Sequence, residues 1–296
     1  MNAHRSIVLA VTLTASLSAS ALQSATAQEA ENPPRQTWSF HGPFGMYDPA
    51  QLQRGFKIYR EVCSTCHSMK LLAFRNLADP GGPGFTEAQA ETIASSYQVT
   101  DGPNDKGEMF QRPGKLADHF PPPFPNDQAA RAALGGGLPP DMSVLAKARG
   151  FESGFPWFIF NAFTQYQEQG PDYIHGILVG YEDPPAGVTV PPGTFYNKYF
   201  PMPHFIAMPK PLSDGQVEYT DDTPTTVDQY AKDISAFLMW AAEPHLEARK
   251  RIGFQVFIVL IVLAGLLYFT KKKVWHEVEL RPDNLKPRPP TEYPRA

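Results

Sequence analysis

The sequence predicts a mainly α-helical body with long loop insertions, carried on one C-terminal transmembrane helix. Three observations predict it: two segments with helical periodicity, a scarcity of strand patterns, and an uncharged run of 19 residues from Ile252 to Thr270. The 296 residues are 42% hydrophobic and 19% charged, with 31 Pro and 22 Gly. Such a composition buries a core and excludes a disordered polyampholyte or a collagen-like repeat.

Residues 1–27 have the form of a cleaved secretory signal. Arg5 precedes the apolar stretch Ile7 to Leu13, no acid is present, and Ala25-Thr26-Ala27 is a small-x-small site before Gln28. The body is then 28–248. Its first helix opens at Asp48 as N-cap with Pro49 in the first position, and Leu52, Phe56, Tyr59 and Val62 fall on one side. Clusters such as Asp79-Pro80-Gly81-Gly82-Pro83-Gly84 and Pro121-Pro122-Pro123-Phe124-Pro125 break the middle into loops and short elements. The stretch 151–172, with the aromatic run Phe155 to Phe160, reads as a buried element, a cover over a cleft or a subunit contact.

A second helix is expected from Thr225 as N-cap, with Asp228 at the capping-box spacing. Val227, Tyr230, Ala231, Ile234, Phe237, Leu238 and Ala241 give it one apolar face. Pro244 should kink the chain before the membrane span, 249–271. The uncharged run covers about 28 Å as a helix, against a hydrocarbon core of about 30 Å. Lys271, Lys272 and Lys273, with Arg281, Lys286 and Arg288 beyond, make the tail 272–296 the more basic side and therefore cytoplasmic.

The formal charge of −4 hides a segregation. Residues 28–248 hold 15 basic and 26 acidic groups, −11, whereas the last 48 residues hold 10 basic and 4 acidic, +6. An acidic body excludes nucleic acid, which requires a basic face, and favours a basic protein partner. Glu182-Asp183 and Asp221-Asp222 are candidate contributors to that field.

The two cysteines stand in Cys63-Ser64-Thr65-Cys66-His67. A two-residue gap followed by His is the pattern of c-type haem attachment. One turn brings two thiols to the two vinyl groups, and the next residue can turn its imidazole onto the iron. A disulfide, a thioredoxin-type pair and a zinc half-site are the competing readings. The first suits an exported chain, but the other two lack their fold context and their second ligand pair. The reading implies one covalent haem c, with His67 on its iron.

The sixth iron ligand must come from eight Met or the remaining His. Met208, in the Pro-stiffened loop Phe205-Ile206-Ala207-Met208-Pro209-Lys210-Pro211, precedes the last helix of the body as the ligand loop of a single-haem c-type fold does. Met202 is the nearest rival, followed by His204 and His119. A thioether ligand raises the potential and suits electron transfer rather than oxygen chemistry.

The segment Gln53 to Met69 around this motif closely resembles the attachment region of the cytochrome c1 family, the membrane-anchored haem subunit of the cytochrome bc1 complex. The likeness extends through Phe74-Arg75-Asn76-Leu77, Ala130-Arg131-Ala132, Gly137-Leu138-Pro139-Pro140-Asp141, Gly180 to Pro185, Tyr196 to Pro201 and Phe237 to Pro244. It implies covalent haem on Cys63 and Cys66, His67 and Met208 as axial ligands, and Arg131 near a propionate. It also implies a bacterial inner-membrane subunit with a periplasmic haem domain, no enzyme by itself. The electron would come from a Rieske iron-sulfur protein and leave to a cytochrome c, beside a cytochrome b subunit and membrane lipid. The chain departs from the family in having Met202 where Gly is frequent, and it lacks the third and fourth cysteines that some bacterial members carry. An anchored peroxidase or ligand sensor, an assembly subunit and a cytochrome c serving a terminal oxidase are the competing functions.

Overall fold

The computed structural model describes residues 32–150, 155–156, 159–161 and 169–279, so the expected signal 1–27 and much of 151–168 lie outside the described residues. The chain forms two units, 1–244 and 245–296. The described part of the first is mainly helical, with two small two-stranded antiparallel ladders.

Helix α1 (Pro49–Glu61) starts as its sequence dictates. The Asp48 carboxylate accepts from Ala50 N at 3.0 Å, and Pro49 occupies a position whose N–H would have no helical partner. Leu52, Gly55, Phe56, Ile58 and Tyr59 are buried, whereas Val62 is only half-buried and forms the cap. A 3-10 turn, Cys63–Thr65, follows directly, and a second covers Phe74–Ala78. Helix α2 (Glu87–Ser95) opens with a Thr86–Gln89 capping box. Strands β1 (Gln98–Asp101) and β2 (Phe110–Pro113) pair with Gln98 opposite Pro113, and the short helices α3 (Asp127–Ala133) and α4 (Leu145–Ala148) come next. Helix α5 (Gln169–Val179) precedes strands β3 (Phe195–Tyr196) and β4 (Phe205–Ile206).

Helix α6 (Val227–Ala242) is the centre of the body, with α1, α4 and α5 packed on it. Its N-cap is Thr226, one residue later than expected. Gln229 N donates to the Thr226 hydroxyl at 3.3 Å, while the Asp228 carboxylate is occupied by His175 and Lys232. The expected single apolar face is too narrow: every residue from Tyr230 to Trp240 except Lys232 is buried, because three helices surround α6. Among those residues is the fully buried Asp233, which accepts from Arg54 Nε, Gln51 Nε2, Tyr219 OH and Gln229 Nε2 at 2.8–3.1 Å. A buried carboxylate is tolerable only with such a set of donors.

The contact between α1 and α6 depends on Gly55. A Cβ there would lie 2.2 Å from the Asp233 carbonyl oxygen and 2.5 Å from the Phe237 Cβ. The two backbones approach where glycine permits, and Phe56, Tyr59, Phe120, Phe74 and Phe237 close the core around them, with Phe74 and Phe120 ring centroids 4.4 Å apart.

Pro244 ends the helix instead of kinking it. Helix α6 stops at Ala242 with Glu243 as its cap, and helix α7 (Leu246–Glu279) begins anew, because proline disfavours helical geometry in the residue before it. Helix α7 has 34 residues, more than the span 249–271 expected from the uncharged run. Its apolar stretch has a mean hydropathy of 2.5 and no residue buried in the protein, the surface expected of a single membrane span. Within 151–172, Phe155, Ile159 and Phe160 are exposed, so the aromatic run is not a core element at these positions.

Candidate haem site

The site begins where α1 ends. Both Cys66 N and His67 N donate to the Cys63 carbonyl, at 3.1 and 2.9 Å, so the two sulfurs and the imidazole issue from one tight turn. The Ser64 and Thr65 hydroxyls donate to the Arg60 and Val62 carbonyls and fasten that turn to the helix. Both cysteines are free thiols, not a disulfide. Burial, then the neighbouring Cys66, pushes the Cys63 thiol up to about 12, so at neutral pH it keeps its proton.

The imidazole is oriented from far along the chain. His67 Nδ1 lies 2.9 Å from the Pro140 carbonyl oxygen. A carbonyl only accepts, so Nδ1 carries the proton and Nε2 presents a lone pair, the tautomer an iron ligand requires. Burial lowers the affinity of this ring for a second proton, against the opposing effects of Pro140 and Asp141. Asp141 then clamps the segment after His67: it accepts from Ser68 Oγ at 2.7 Å and Lys70 N at 3.0 Å, while Met142 N donates to the Ser68 carbonyl at 2.8 Å.

The stretch 134–141 also meets the methionine loop. Gly137 packs beside Ala207, whose Cβ lies 3.8 Å from the position a Cβ on Gly137 would take. Ala207 precedes Met208, which is half-buried, and Tyr181 OH donates to the Met208 carbonyl at 2.9 Å. Asn197, fully buried, holds the segment behind it by donating to the Ile177 carbonyl at 2.7 Å and accepting from Tyr199 N. One stretch, Gly137 to Pro140, thus bonds His67 through the Pro140 carbonyl and passes close to the neighbour of Met208.

Arg131 lies at the head of this stretch, on α3. Its Nη1 donates to the Gly136 carbonyl at 3.1 Å, and Gly135 and Gly136 turn the chain there with φ of 62° and 95°. The rivals stand differently. Met202 is exposed, His204 Nδ1 is bound to the Phe200 carbonyl at 2.6 Å, and His119 Nδ1 to the Lys70 carbonyl at 2.7 Å. Pro140, Asp141, Tyr181 and Asn197 hold these segments by hydrogen bonds, and residue patterns alone did not single them out. Only the turn-forming Pro-Pro-Asp before Met142 carried a local signal.

Among the described residues no group of three or more His, Cys, Asp and Glu side chains converges as a site for a bare metal ion. Two thiols one turn apart with an imidazole whose Nε2 is open fit a porphyrin instead.

Comparison with known proteins identifies the family. The model of the cytochrome C1 family matches residues 38–278. A "Cytochrome b/c1" of Bradyrhizobium diazoefficiens is 60% identical over 91% of this chain, which spans 39% of that protein's length. "Cytochrome c1" of Blastochloris viridis is 50% identical over 86% of the chain and 90% of its own length. A mitochondrial "Cytochrome c1 1, heme protein" of Arabidopsis thaliana is 43% identical over 87% of the chain and 78% of its own length. Proteins of this family carry one covalently bound c-type haem, and Cys63 and Cys66 supply the matching pattern. With its helical body, single apolar helix and attachment turn, the chain belongs to the cytochrome c1 family and is a haem protein of electron transport.

Proposed function

We propose that the chain is the haem subunit of a ubiquinol:cytochrome c oxidoreductase of the bc1 type, taking one electron from a Rieske iron-sulfur protein and passing it to a cytochrome c. The observation that carries this reading is the attachment turn, bonded through His67 to Pro140, in a stretch whose Gly137 lies close to the Met208 loop. Cys63 and Cys66 would form thioethers with the two vinyl groups, His67 Nε2 and the Met208 sulfur would be axial ligands, and Arg131 would face a propionate. The bound haem supplies a one-electron couple.

The chain's own residues hold that couple in one geometry. Pro140 keeps the imidazole in a single tautomer, Asp141 fixes the segment after it, and Tyr181 fixes the carbonyl of the methionine. A site with few moving parts changes little on gaining or losing an electron. The subunit therefore makes and breaks no bond and is no enzyme by itself.

The partners follow from charge and from the relatives. The name of the Bradyrhizobium relative, cytochrome b/c1, joins two cytochromes, which supports a cytochrome b subunit beside α7. The signal-like 1–27 and the basic residues after the span support a periplasmic haem domain and a cytoplasmic C-terminus in a bacterial inner membrane. The −11 body would steer a basic cytochrome c into a weak, transient contact.

The test is purification from the membrane. The haem c should co-purify with b-type haem and an iron-sulfur protein, and quinol should reduce it in an inhibitor-sensitive reaction. Haem c that stays oxidised while the assembly turns over would exclude the electron-transfer role. Oxidation by a basic cytochrome c should slow as ionic strength rises, and a flat dependence would remove the steering argument.

A further inference from the structure

The buried imidazole of His175 takes no part in the attachment turn. It lies on α5 at 2% exposure, and its Nε2 is 2.9 Å from Asp228 Oδ1 in the first turn of α6. A carboxylate only accepts, so Nε2 carries the proton. Lys232 Nζ, one turn further along α6, donates to the other Asp228 oxygen at 2.7 Å and holds the carboxylate in place. Burial lowers the affinity of the His175 ring for a second proton, against the opposing effect of Asp228, and its Nδ1 meets no hydrogen-bond partner among the described residues. The ring therefore makes one polar bond, and that bond joins two helices. An apolar side chain would fill the same place without leaving a buried nitrogen unsatisfied, so the bond to Asp228 is what the imidazole adds.

Helix α5 is the platform of the methionine loop. The Ile177 carbonyl accepts from Asn197 Nδ2 at 2.7 Å, the Gly180 carbonyl from Lys198 N at 3.1 Å, and Tyr181 forms an antiparallel bridge with Asn197. Gly180 permits this approach, since a Cβ there would fall 2.7 Å from Asn197 Oδ1 and 2.8 Å from Tyr199 Cδ2. The segment so held continues into the loop: Asn197 N donates to the His204 carbonyl at 2.9 Å, and β3 pairs with β4, which ends at Ile206, two residues before Met208. Tyr181 then takes the Met208 carbonyl directly. Ile177, Gly180 and Tyr181 stand two, five and six residues after His175, so a shift of α5 on α6 carries the loop with it.

We propose that His175 is a positioning residue for the Met208 ligand: through Asp228 it fixes α5 on α6, and through α5 it fixes the loop that offers the sulfur. The inference rests on the reading of Met208 as an axial ligand and deepens it, by naming the bond that keeps the platform of that loop in register.

Competition for the iron tests it. The full-length, haem-loaded chain in detergent is titrated with free imidazole at one alkaline pH, and loss of the sulfur-to-iron band reports displacement of the methionine. His175→Leu removes the donor, and Asp228→Ala removes the acceptor through a side chain that is 58% exposed, so the second variant folds even where the first does not. Displacement should need about tenfold less imidazole in either variant, the factor that about 1.4 kcal/mol represents, while the helical signal persists. His175→Gln, whose amide can donate to Asp228, should return the titration to within about threefold of wild type. Wild-type titrations in both His175→Leu and Asp228→Ala would overturn the proposal. So would a His175→Gln chain displaced as easily as His175→Leu, which would leave the ring a packing role only. A band that survives Met208→Leu would instead overturn the ligand reading, and this inference with it.

Discussion

The two sides of the candidate haem site are built by different means. The side of Cys63, Cys66 and His67 grows out of α1, which is locked against α6 by backbone approach at Gly55 and by an aromatic core. The side of Met208 has no helix of its own. It is a loop after a two-residue strand, held by one hydrogen bond from Tyr181 to the Met208 carbonyl, on a segment that Asn197 fastens to the Ile177 carbonyl. Helix packing spreads its energy over many apolar contacts, and its buried carboxylate, Asp233, shares its charge among four donors. A loop fixed by a few polar atoms concentrates its energy, and each atom matters.

That contrast orders the effects of mutation. Met208→Leu should have the largest consequence: a fall in midpoint potential that is a sizeable part of the ~0.8 V range axial ligation spans, with loss of the sulfur-to-iron absorption band. Redox titration reads it, with Met202→Leu expected to leave the potential in place. A Met208→Leu protein with an unchanged midpoint would remove the methionine side of the comparison altogether.

Gly55→Ala probes the helical side. The new methyl group meets the Asp233 carbonyl and Phe237 with no flexible neighbour to give way, so the body should lose about 2 kcal/mol or more, measured by denaturant unfolding. Wild-type stability would show that the helices are free to separate. Tyr181→Phe probes the loop and should cost about 1 kcal/mol. Its signature is selective: the sulfur-to-iron band should melt at lower temperature while the covalently attached haem and the helical signal persist. Simultaneous loss of all three signals would mean that the loop is no weaker than the helices.

The smallest effect lies outside both sides, at the β1–β2 ladder. The Arg112 guanidinium hydrogen-bonds Asp118 and holds its carboxyl down at about 2. A carboxylate whose folded pKa is depressed contributes stability above its unfolded value of about 4 and loses it as pH falls through about 2. Asp118→Asn should therefore lower stability at neutral pH, only slightly because the pair stands near the surface, and the difference from wild type should shrink as pH falls from about 4 through about 2. Unfolding measured across that window reveals it. A deficit that persists undiminished at the acid end would assign Asp118 a packing role instead.

The same contrast explains what the sequence disclosed. Helix α1 was legible to its first residue because Asp48 and Pro49 act locally, and the membrane helix because an uncharged run has few alternatives. The start of α6 was displaced by one residue because Thr225 and Thr226 are equivalent until the partners of Asp228 and Gln229 are known. Asp233 in the middle of an apolar face was invisible as a hub, since its four donors come from three separate segments. Cys63, Cys66 and His67 stand out by their spacing alone. Pro140 and Tyr181 act through a carbonyl and a hydroxyl reaching across the fold, and no periodicity marks such atoms. Family resemblance pointed to their segments without giving their tasks.

The hydrogen bond from His67 to Pro140 joins residues 73 apart in the chain. A chain exported as proposed emerges from its N-terminus, so both thiols and the imidazole reach the outer compartment well before the carbonyl that will align the ring. Until residue 140 arrives, the attachment turn is open on the face that Gly137 to Pro140 later covers. Haem can then be joined to a nascent, accessible segment, and the closing of the later loops around it becomes the step that turns a pigmented chain into an electron carrier.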